Sequence, residues 1–286
     1  MHKQEGDKMY EKISGDLIII GGAEDKEGDK EILKKVCDSI NKENDLILIA
    51  TIATEYPKEA LNKYSEIFGK LGVKNIKGLN IKNRKDSEKE ENIKLIKCAK
   101  LIFFTGGDQL RITSLIGGTA IYSELKLAIE KGCTIVGTSA GASVMSEVMV
   151  VQGDDDESPR KCTLKMAQGL GFVKSIIIDQ HFAQRGRVGR LLSGIAQNPE
   201  VLGIGIDEDT ALIVKDNGMA EVLGSGAVYF LDASNITYSN VSEQNYNEIL
   251  SMFNVKLHVL KEGDKFNLLN KQPFEEEEKR DENNRG

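Results

Sequence analysis

The stretch Cys133-Thr-Ile-Val-Gly-Thr-Ser-Ala-Gly141 joins an apolar run to a G-x-S-x-G pentapeptide. The pattern predicts a buried strand over Cys133–Gly137, a sharp turn at Ser139 and a helix over Ala142–Val151. Small neighbours let the backbone reverse there, so the Ser139 hydroxyl would stand at the carboxyl end of the strand as a nucleophile. A glycine-rich turn around a buried serine is the alternative, and the position between strand and helix favours the nucleophile.

Further apolar runs precede this stretch and alternate with helical patterns. The sequence predicts strands at Asp16–Ile20, Asp45–Thr51, Val73–Leu79 and Leu101–Thr105, and helices at Asp29–Asn41, Lys58–Leu71, Arg84–Ala99 and Ser123–Lys131. Continuous apolar strands are typical of a parallel sheet covered by helices on both faces. We therefore expect a doubly wound, mostly parallel α/β sheet flanked by helices, with functional residues at the carboxyl ends of its strands.

The last third of the chain has shorter strands at closer spacing. They are expected at Ser175–Asp179, Gly203–Ile206, Ala211–Val214 and Ala227–Leu231, as antiparallel additions to the same sheet. No linker composition interrupts the chain, so residues 1–272 are predicted to form a single α/β domain. Residues 273–286, PFEEEEKRDENNRG, have almost no apolar side chains and are expected to be a disordered charged tail.

The charge balance excludes some classes of partner. The 286 residues include 38 Lys and Arg against 45 Asp and Glu, for a net charge of −7. An acidic chain lacks the basic face of a general nucleic-acid binder. No apolar run approaches the ~20 residues of a membrane helix. The N-terminal segment MHKQEGDKMYEKISGD has no apolar region of a secretory signal, so we expect a cytoplasmic location.

Cysteine and histidine are too sparse to predict a metal centre. The four cysteines, at positions 37, 98, 133 and 162, form no C-x-x-C pair, and the chain has only three histidines. This pattern is typical of reduced thiols rather than of a disulfide framework or a zinc site. We expect no metal ion and no cofactor.

A serine nucleophile needs a base, and the base needs an acid to orient it. His2 lies at the chain terminus and His258 alternates with apolar residues, whereas His181 directly follows an apolar strand. His181 is therefore the predicted base. The acid would come from Asp207-Glu208-Asp209, which follows another apolar strand, but the residues alone do not choose among the three. The order serine, histidine, acid differs from that of the α/β-hydrolases.

Five segments occur in an order and at a spacing typical of one peptidase family. They are Gly21–Asp25, Thr105–Gln109, Gly137–Ala142, Asp179–Phe182 followed by Arg185, Arg187 and Arg190, and Gly205–Thr210. Together they resemble the cyanophycinases, whose serine-peptidase family also includes α-aspartyl dipeptidases. The resemblance implies a class I glutamine-amidotransferase-like fold, a homodimer, and a triad of Ser139, His181 and Glu208. For the oxyanion we expect the backbone N–H groups of Gly107 and Ala140.

Cyanophycin, the substrate implied by the resemblance, is poly-aspartate with an arginine attached to each β-carboxyl. Candidate substrate-binding residues are Gln109, Asp179, Gln180, Arg185, Arg187 and Arg190. Arg187 or Arg190 would give a cationic fork for a carboxylate, although Arg185–Arg190 could equally be a basic helix face. Gln109 and Gln180 could bind substrate or cap loops. The acidic run Asp154–Glu157 could bind guanidinium groups, but we expect a solvated loop.

Two other functions remain open at this point. One is a related dipeptidase that acts on small aspartyl peptides. The other is a non-catalytic member of the fold that only binds a ligand, which a serine-directed covalent probe would fail to label at Ser139.

Overall fold

The computed structural model describes residues 14–153, 155, 158–160, 164–242 and 248–274. The strands described there are β1 (Leu17–Ile20), β2 (Leu46–Ala50), β3 (Asn75–Leu79), β4 (Ala99–Phe104), β5 (Thr134–Thr138), β6 (Val148–Gln152), β7 (Lys165–Gln168), β8 (Ile176–Gln180), β9 (Leu202–Ile206), β10 (Thr210–Val214), β11 (Met219–Gly224), β12 (Val228–Asp232), β13 (Tyr238–Ser239), β14 (Met252–Phe253), β15 (Lys256–Leu260), β16 (Lys265–Asn267) and β17 (Gln272–Pro273). The helices are α1 (Glu31–Asp38), α2 (Pro57–Lys70), α3 (Glu90–Cys98), α4 (Gln109–Ile116), α5 (Ala120–Glu130), α6 (Ala140–Ser143) and α7 (Val188–Gln197).

The largest sheet has nine strands in the order β17-β16-β11-β10-β1-β5-β4-β2-β3. The five strands from β1 to β3 in that order are parallel, whereas β10, β11, β16 and β17 extend the sheet by antiparallel pairing. Ile20 pairs with Thr138, and Phe104 pairs with Gly137. The carboxyl ends of β1, β4 and β5 therefore lie side by side, and the predicted α/β fold class is confirmed.

The core occupies both faces of this sheet, because successive strand residues point to opposite sides. Phe103 packs with Phe68 and Val136 on one face, and Phe104 packs with Ile112 and other apolar side chains on the opposite face. All of these side chains are fully buried. This double burial explains why the parallel strands are continuous apolar runs in the sequence.

A second sheet has four strands in the order β15-β12-β9-β8. The expectation that all the late strands join the first sheet is wrong for β8, β9 and β12, and correct for β10. The pair β8 and β9 is parallel, with Gln180 opposite Ile206. Parallel neighbours need a crossover, and α7 provides it. The residues that follow β8 and β9 therefore leave the same edge of this sheet.

The expected helix after the serine turn is also wrong. Helix α6 ends at Ser143, and the chain then forms β6, which pairs antiparallel with β7. Val148-Met-Val-Val151 is rich in β-branched residues, which favour a strand. Similarly, the helix expected at Arg84–Ala99 is a 3₁₀ turn at Arg84–Glu88 followed by α3, because the intervening Lys89 is extended.

The boundary expected for the C-terminal tail falls inside regular structure. Pro273 belongs to β17 and pairs with Phe266. Residues 275–286 lie outside the described residues. The single-domain division of the chain remains a prediction.

Two glycine-to-alanine substitutions test how the second sheet is packed. A Cβ at Gly205 of β9 would lie 2.5 Å from the ring of Phe182, which is fully buried. We expect Gly205→Ala to lower the free energy of unfolding by about 1–3 kcal/mol, the usual cost of overpacking. Gly69 of α2 is the control, because a Cβ there would meet nothing within 4 Å. Gly69→Ala should raise stability by up to about 1 kcal/mol.

Urea denaturation of both variants gives the comparison. Unchanged stability of Gly205→Ala would contradict the close packing of Phe182 against β9.

Candidate active site

Ser139 occupies a strained turn between β5 and α6. Its backbone has φ 53° and ψ −114°, and its N–H donates to the Ile20 carbonyl at 3.1 Å. A Cβ at Gly137 would lie 2.2 Å from the Gly141 oxygen, and one at Gly141 would lie 2.4 Å from the Phe104 oxygen. The turn therefore needs glycine on both sides of Ser139, as the G-x-S-x-G pattern predicts. Strain of this kind costs about 1–3 kcal/mol and is typical of functional sites.

The Ser139 hydroxyl lies within hydrogen-bond distance of an imidazole. Its Oγ is 3.0 Å from His181 Nε2, and His181 Nδ1 is 2.5 Å from Glu208 Oε1. His181 is 9% exposed. A hydroxyl, an imidazole and a carboxylate in this order form the geometry of a base-activated nucleophile.

Of the three acidic residues 207–209, one contacts the His181 imidazole and the other two accept hydrogen bonds from backbone N–H groups. Asp207 accepts hydrogen bonds from the backbone N–H groups of Ala183 and Ala227, at 2.9 and 3.1 Å. Asp209 accepts at 2.8 Å from the N–H of Asp25 and at 2.8 Å from the Ser225 hydroxyl. Of the three, Glu208 is the one whose carboxylate contacts His181.

The segment Gly21–Asp25, after β1, contacts the elements that carry all three side chains. The Gly21 carbonyl accepts the His181 N–H at 2.8 Å, and the Gly22 carbonyl accepts the Asp209 N–H at 2.9 Å. A Cβ at Gly22 would lie 2.4 Å from His181 Cε1 and 2.5 Å from its Nε2. Gly22 also has a φ of 102°, so both its conformation and its contact with the imidazole require glycine.

Glu24 is a buried carboxylate behind the serine turn. It is 3% exposed and accepts hydrogen bonds from the Thr138 hydroxyl at 2.6 Å and the Tyr64 hydroxyl at 2.5 Å. Lys26 forms a salt bridge with it at 2.9 Å. Burial and the neighbouring Glu24 raise the pKa of Tyr64, which keeps its phenol protonated. Sequence reasoning missed the role of Gly22 and Glu24, although two glycines followed by two acids at a strand end were a visible signal.

The pKa of His181 is lowered from its ordinary value, first of all because burial disfavours the imidazolium. Arg185 and Arg187 lower it further, whereas the hydrogen bond and charge of Glu208 act in the opposite direction. The imidazole therefore stays neutral, and able to accept a proton, down to a lower pH than the side chain of an ordinary histidine.

Two of the expected oxyanion donors belong to segments next to Ser139: Ala140 follows it in the chain, and Gly107 belongs to the loop after β4. Gly107 follows β4 with a φ of 142°, where a Cβ would lie 2.3 Å from the Ala53 oxygen. At the neighbouring Gly106 a Cβ would lie 3.3 Å from the Ser139 Cβ, so this loop touches the serine. Within the described residues, the N–H groups of Gly107 and Ala140 have no protein acceptor. They have the character of donors for an oxyanion.

Three of the residues predicted to bind substrate form a buried ion cluster. Arg190 donates to Asp179 through Nε at 2.6 Å and also through Nη2. Arg187 donates to the Gln180 carbonyl at 2.6 Å. Asp155 accepts from Arg187 at 3.0 Å and from Arg190 at 3.2 Å. The acidic run thus supplies at least one structural partner, and its residues 154, 156 and 157 lie outside the described residues.

The remaining candidates are closer to solvent or to the serine. Arg185 is exposed on the 3₁₀ turn Ala183–Arg185 after His181. Gln180 is buried, and its Oε1 lies 3.5 Å from Ser139 Oγ. Gln109, at the start of α4, donates to the Val150 carbonyl at 3.1 Å.

Among the described residues, the other histidines and cysteines form no second centre. His258 lies in β15 with its ring against Phe266, and Cys37 and Cys133 are buried, which raises the pKa of each thiol to about 12. Across the part of the chain that the structure describes, no group of histidine, cysteine and acidic side chains could hold a metal ion. None of the described helices is long and apolar enough to span a membrane.

Comparison with known proteins gives consistent relatives. Residues 17–222 match the family model of peptidase family S51. The chain is 36% identical over 267 residues to a cyanophycinase from Geminocystis herdmanii (strain PCC 6308), covering 93% of this chain and 98% of that protein. A cyanophycinase from Synechococcus elongatus is also 36% identical, over 93% of this chain and 81% of the relative. A peptidase structure from an acI-B1 Actinobacterium shares the fold, with a TM-score of 0.62 and 20% identity over 90% and 98% of the two chains.

The charge of Arg185 should affect the pH dependence of Ser139 labelling, at the acidic limb of the profile. Loss of its positive charge favours the imidazolium, so Arg185→Gln should raise the pKa of His181 and move the acid limb to higher pH. The measurement is the rate of labelling by an organophosphorus serine probe as a function of pH. Lys70→Gln, an exposed charge change on α2, should leave the profile unchanged. A midpoint that stays fixed or moves to lower pH in Arg185→Gln would refute the electrostatic account.

Gly22 should be essential for Ser139 reactivity. We expect Gly22→Ala to lower the labelling rate at least ~100-fold, because a displacement of about 1 Å in reacting groups costs roughly that much. Gly72→Ala is the matched control. Its φ of 98° imposes comparable backbone strain, but its Cβ would meet only the Lys42 side chain, at 3.7 Å. Equal losses of reactivity in the two variants, with both folded by circular dichroism, would show that strain and not the imidazole contact is responsible.

Proposed function

The chain belongs to peptidase family S51 and is a serine-type peptidase, and from this premise we propose that it hydrolyses cyanophycin to β-Asp-Arg dipeptides. The observation that carries the proposal is the line from Ser139 through His181 to Glu208, in a chain that aligns along nearly its whole length with cyanophycinases. Each repeat of this polymer has an aspartyl backbone amide as the bond to be cleaved.

In the proposed mechanism Ser139 is the nucleophile and His181 the general base. Glu208 accepts a hydrogen bond from the Nδ1–H of His181, so that the unprotonated Nε2 faces the serine hydroxyl. As Oγ attacks the α-peptide carbonyl of an aspartyl residue, its proton passes to Nε2. The N–H groups of Gly107 and Ala140 then stabilise the oxyanion, and each such donor is worth about 10²–10³ in rate.

The second half of the reaction returns the enzyme to its starting state. His181 gives its proton to the leaving amine as the peptide bond breaks, and an ester forms with Ser139. Water then attacks the ester, transfers a proton to His181 and releases the acid, while Ser139 recovers its proton. Every step uses side chains and backbone N–H groups of this chain, together with water.

Substrate contacts divide between exposed and buried residues. We propose that Arg185, exposed beside His181, contacts the α-carboxylate of a repeat, together with the amides of Gln109 and Gln180. Arg187, Arg190 and Asp179 are already paired with each other and with Asp155. Their proposed role is to fix the backbone before His181. A homodimer in the cytoplasm remains our expectation.

The test is cleavage of cyanophycin granules by the wild type and by Ser139→Ala. We expect the wild type to clear the suspension and release β-Asp-Arg, identified by mass spectrometry. Ser139→Ala should be slower by at least about 10⁴-fold, as for other serine nucleophiles. Ser143→Ala is the matched control, since Ser143 is a buried serine at the end of α6.

A folded wild type that leaves the polymer intact would reject cyanophycin as the substrate. Cleavage of Asp-X dipeptides by the same preparation would then identify a dipeptidase. Clearing that persists in Ser139→Ala would reject Ser139 as the nucleophile.

A further inference from the structure

A cavity lies along helix α4, and Asp108, the residue after Gly107, is part of its wall. We call it the α4 groove, and its wall includes Asp108, Arg111, Ser114, Gly118, Tyr122 and Gln168. Its volume is about 880 Å³. Asp108 directly follows Gly107, whose loop contacts Ser139. The N-terminal end of α4 thus follows the loop that contacts Ser139, and the eight residues of α4 span about 12 Å.

The walls of the α4 groove are held in place from outside. Arg84 donates to the carbonyls of Ser114 and Gly117 at 2.9 and 2.7 Å, which fixes the C-terminal end of α4. Across the groove, the Tyr122 hydroxyl donates to the Leu170 carbonyl at 3.0 Å. A preformed groove loses little conformational entropy when a chain binds in it.

The charged residues of the groove are one acid and one base. Asp108 uses Oδ1 to accept the Leu110 N–H at 2.8 Å, and this bond caps α4. Arg111 donates from Nε to the Ile52 carbonyl at 3.0 Å. Within the described residues, Asp108 Oδ2 and the terminal Nη1 and Nη2 of Arg111 have no protein partner. The groove thus presents a carboxylate oxygen and a guanidinium edge three positions apart on one helix end.

We propose that the α4 groove binds an uncleaved repeat of the polymer, next to the repeat at Ser139. This inference rests on the proposed function. Each repeat carries an arginine with a free α-carboxylate and a guanidinium, so it is a zwitterion. Arg111 binds the carboxylate through its paired Nη donors, and Asp108 binds the guanidinium. The ~12 Å of groove accommodates about three extended backbone residues, at up to ~3.6 Å each.

Binding of this kind makes the enzyme prefer long chains. A repeat held in the α4 groove tethers its neighbour at Ser139 and raises the local concentration of the bond to be cleaved. A substrate of two repeats that fills only the cleavage site gains nothing from the groove. The contribution of Arg111 and Asp108 should therefore depend on substrate length.

The experiment compares two substrates, soluble cyanophycin of many repeats and the two-repeat oligomer (β-Asp-Arg)₂. Arg111→Gln should lower kcat/KM for the polymer about tenfold, mainly through KM, and change kcat/KM for the oligomer less than twofold. Asp108→Asn should behave in the same way, and it retains the cap of α4 because asparagine caps as well as aspartate. Lys94→Gln on α3 removes an exposed charge elsewhere and should change neither value.

Each result has one meaning. Equal effects of Arg111→Gln on both substrates, or no effect on the polymer, would overturn the proposed groove. If thermal melting shows that Arg111→Gln is not folded, the comparison of the two substrates with Asp108→Asn alone tests the groove. A wild type that cleaves neither substrate would instead reject the proposed function.

Discussion

The contact between the Gly22 backbone and the His181 imidazole is the constraint on which the candidate active site depends. Ser139 leaves the first sheet, whereas His181 and Glu208 leave the second. The segment after β1 bridges the two sheets: Gly21 holds the backbone of His181, and Gly22 holds that of Asp209. A side chain at Gly22 would occupy the space of the imidazole. One residue without a side chain thus sets the distance at which the hydroxyl meets its base.

The second sheet explains how a base and an acid 27 residues apart come together. Strands β8 and β9 are parallel, so both end at the same edge, and the α7 crossover accounts for the sequence between them. His181 and Asp209 both have positive φ values, 49° and 48°. The positive φ of Asp209 marks a turn within the acidic triplet 207–209, whose three side chains have different partners. Asp207 and Asp209 then hold loops, and Glu208 reaches the imidazole.

Features that depend on local sequence pattern could be predicted from the sequence. Features that depend on pairing between distant segments could not. The apolar runs and the small residues around Ser139 specify the parallel strands and the serine turn. The helix expected over Ala142–Val151 failed because three valines in four residues favour a strand that pairs with β7. Assignment of β8 and β9 to a separate sheet depends on partners that no local pattern encodes. Likewise, the sequence signal at Glu24 did not name its partners, Thr138 and Tyr64, which folding brings to its carboxylate.

The proposed positioning role of the buried ion cluster follows from the pairing of its charges. Asp179 is 1% exposed at its side chain, and Arg187 and Arg190 are 5% and 8% exposed. Two acids, Asp179 and Asp155, balance the two arginines, so no charge is left buried without a partner, which would be strongly destabilising. The Arg187 guanidinium also binds the carbonyl of Gln180, the residue before His181. An apolar cluster of equal volume could fill the same space, but it could not hold that carbonyl. The cluster therefore links the burial of charge to the position of the backbone that precedes His181.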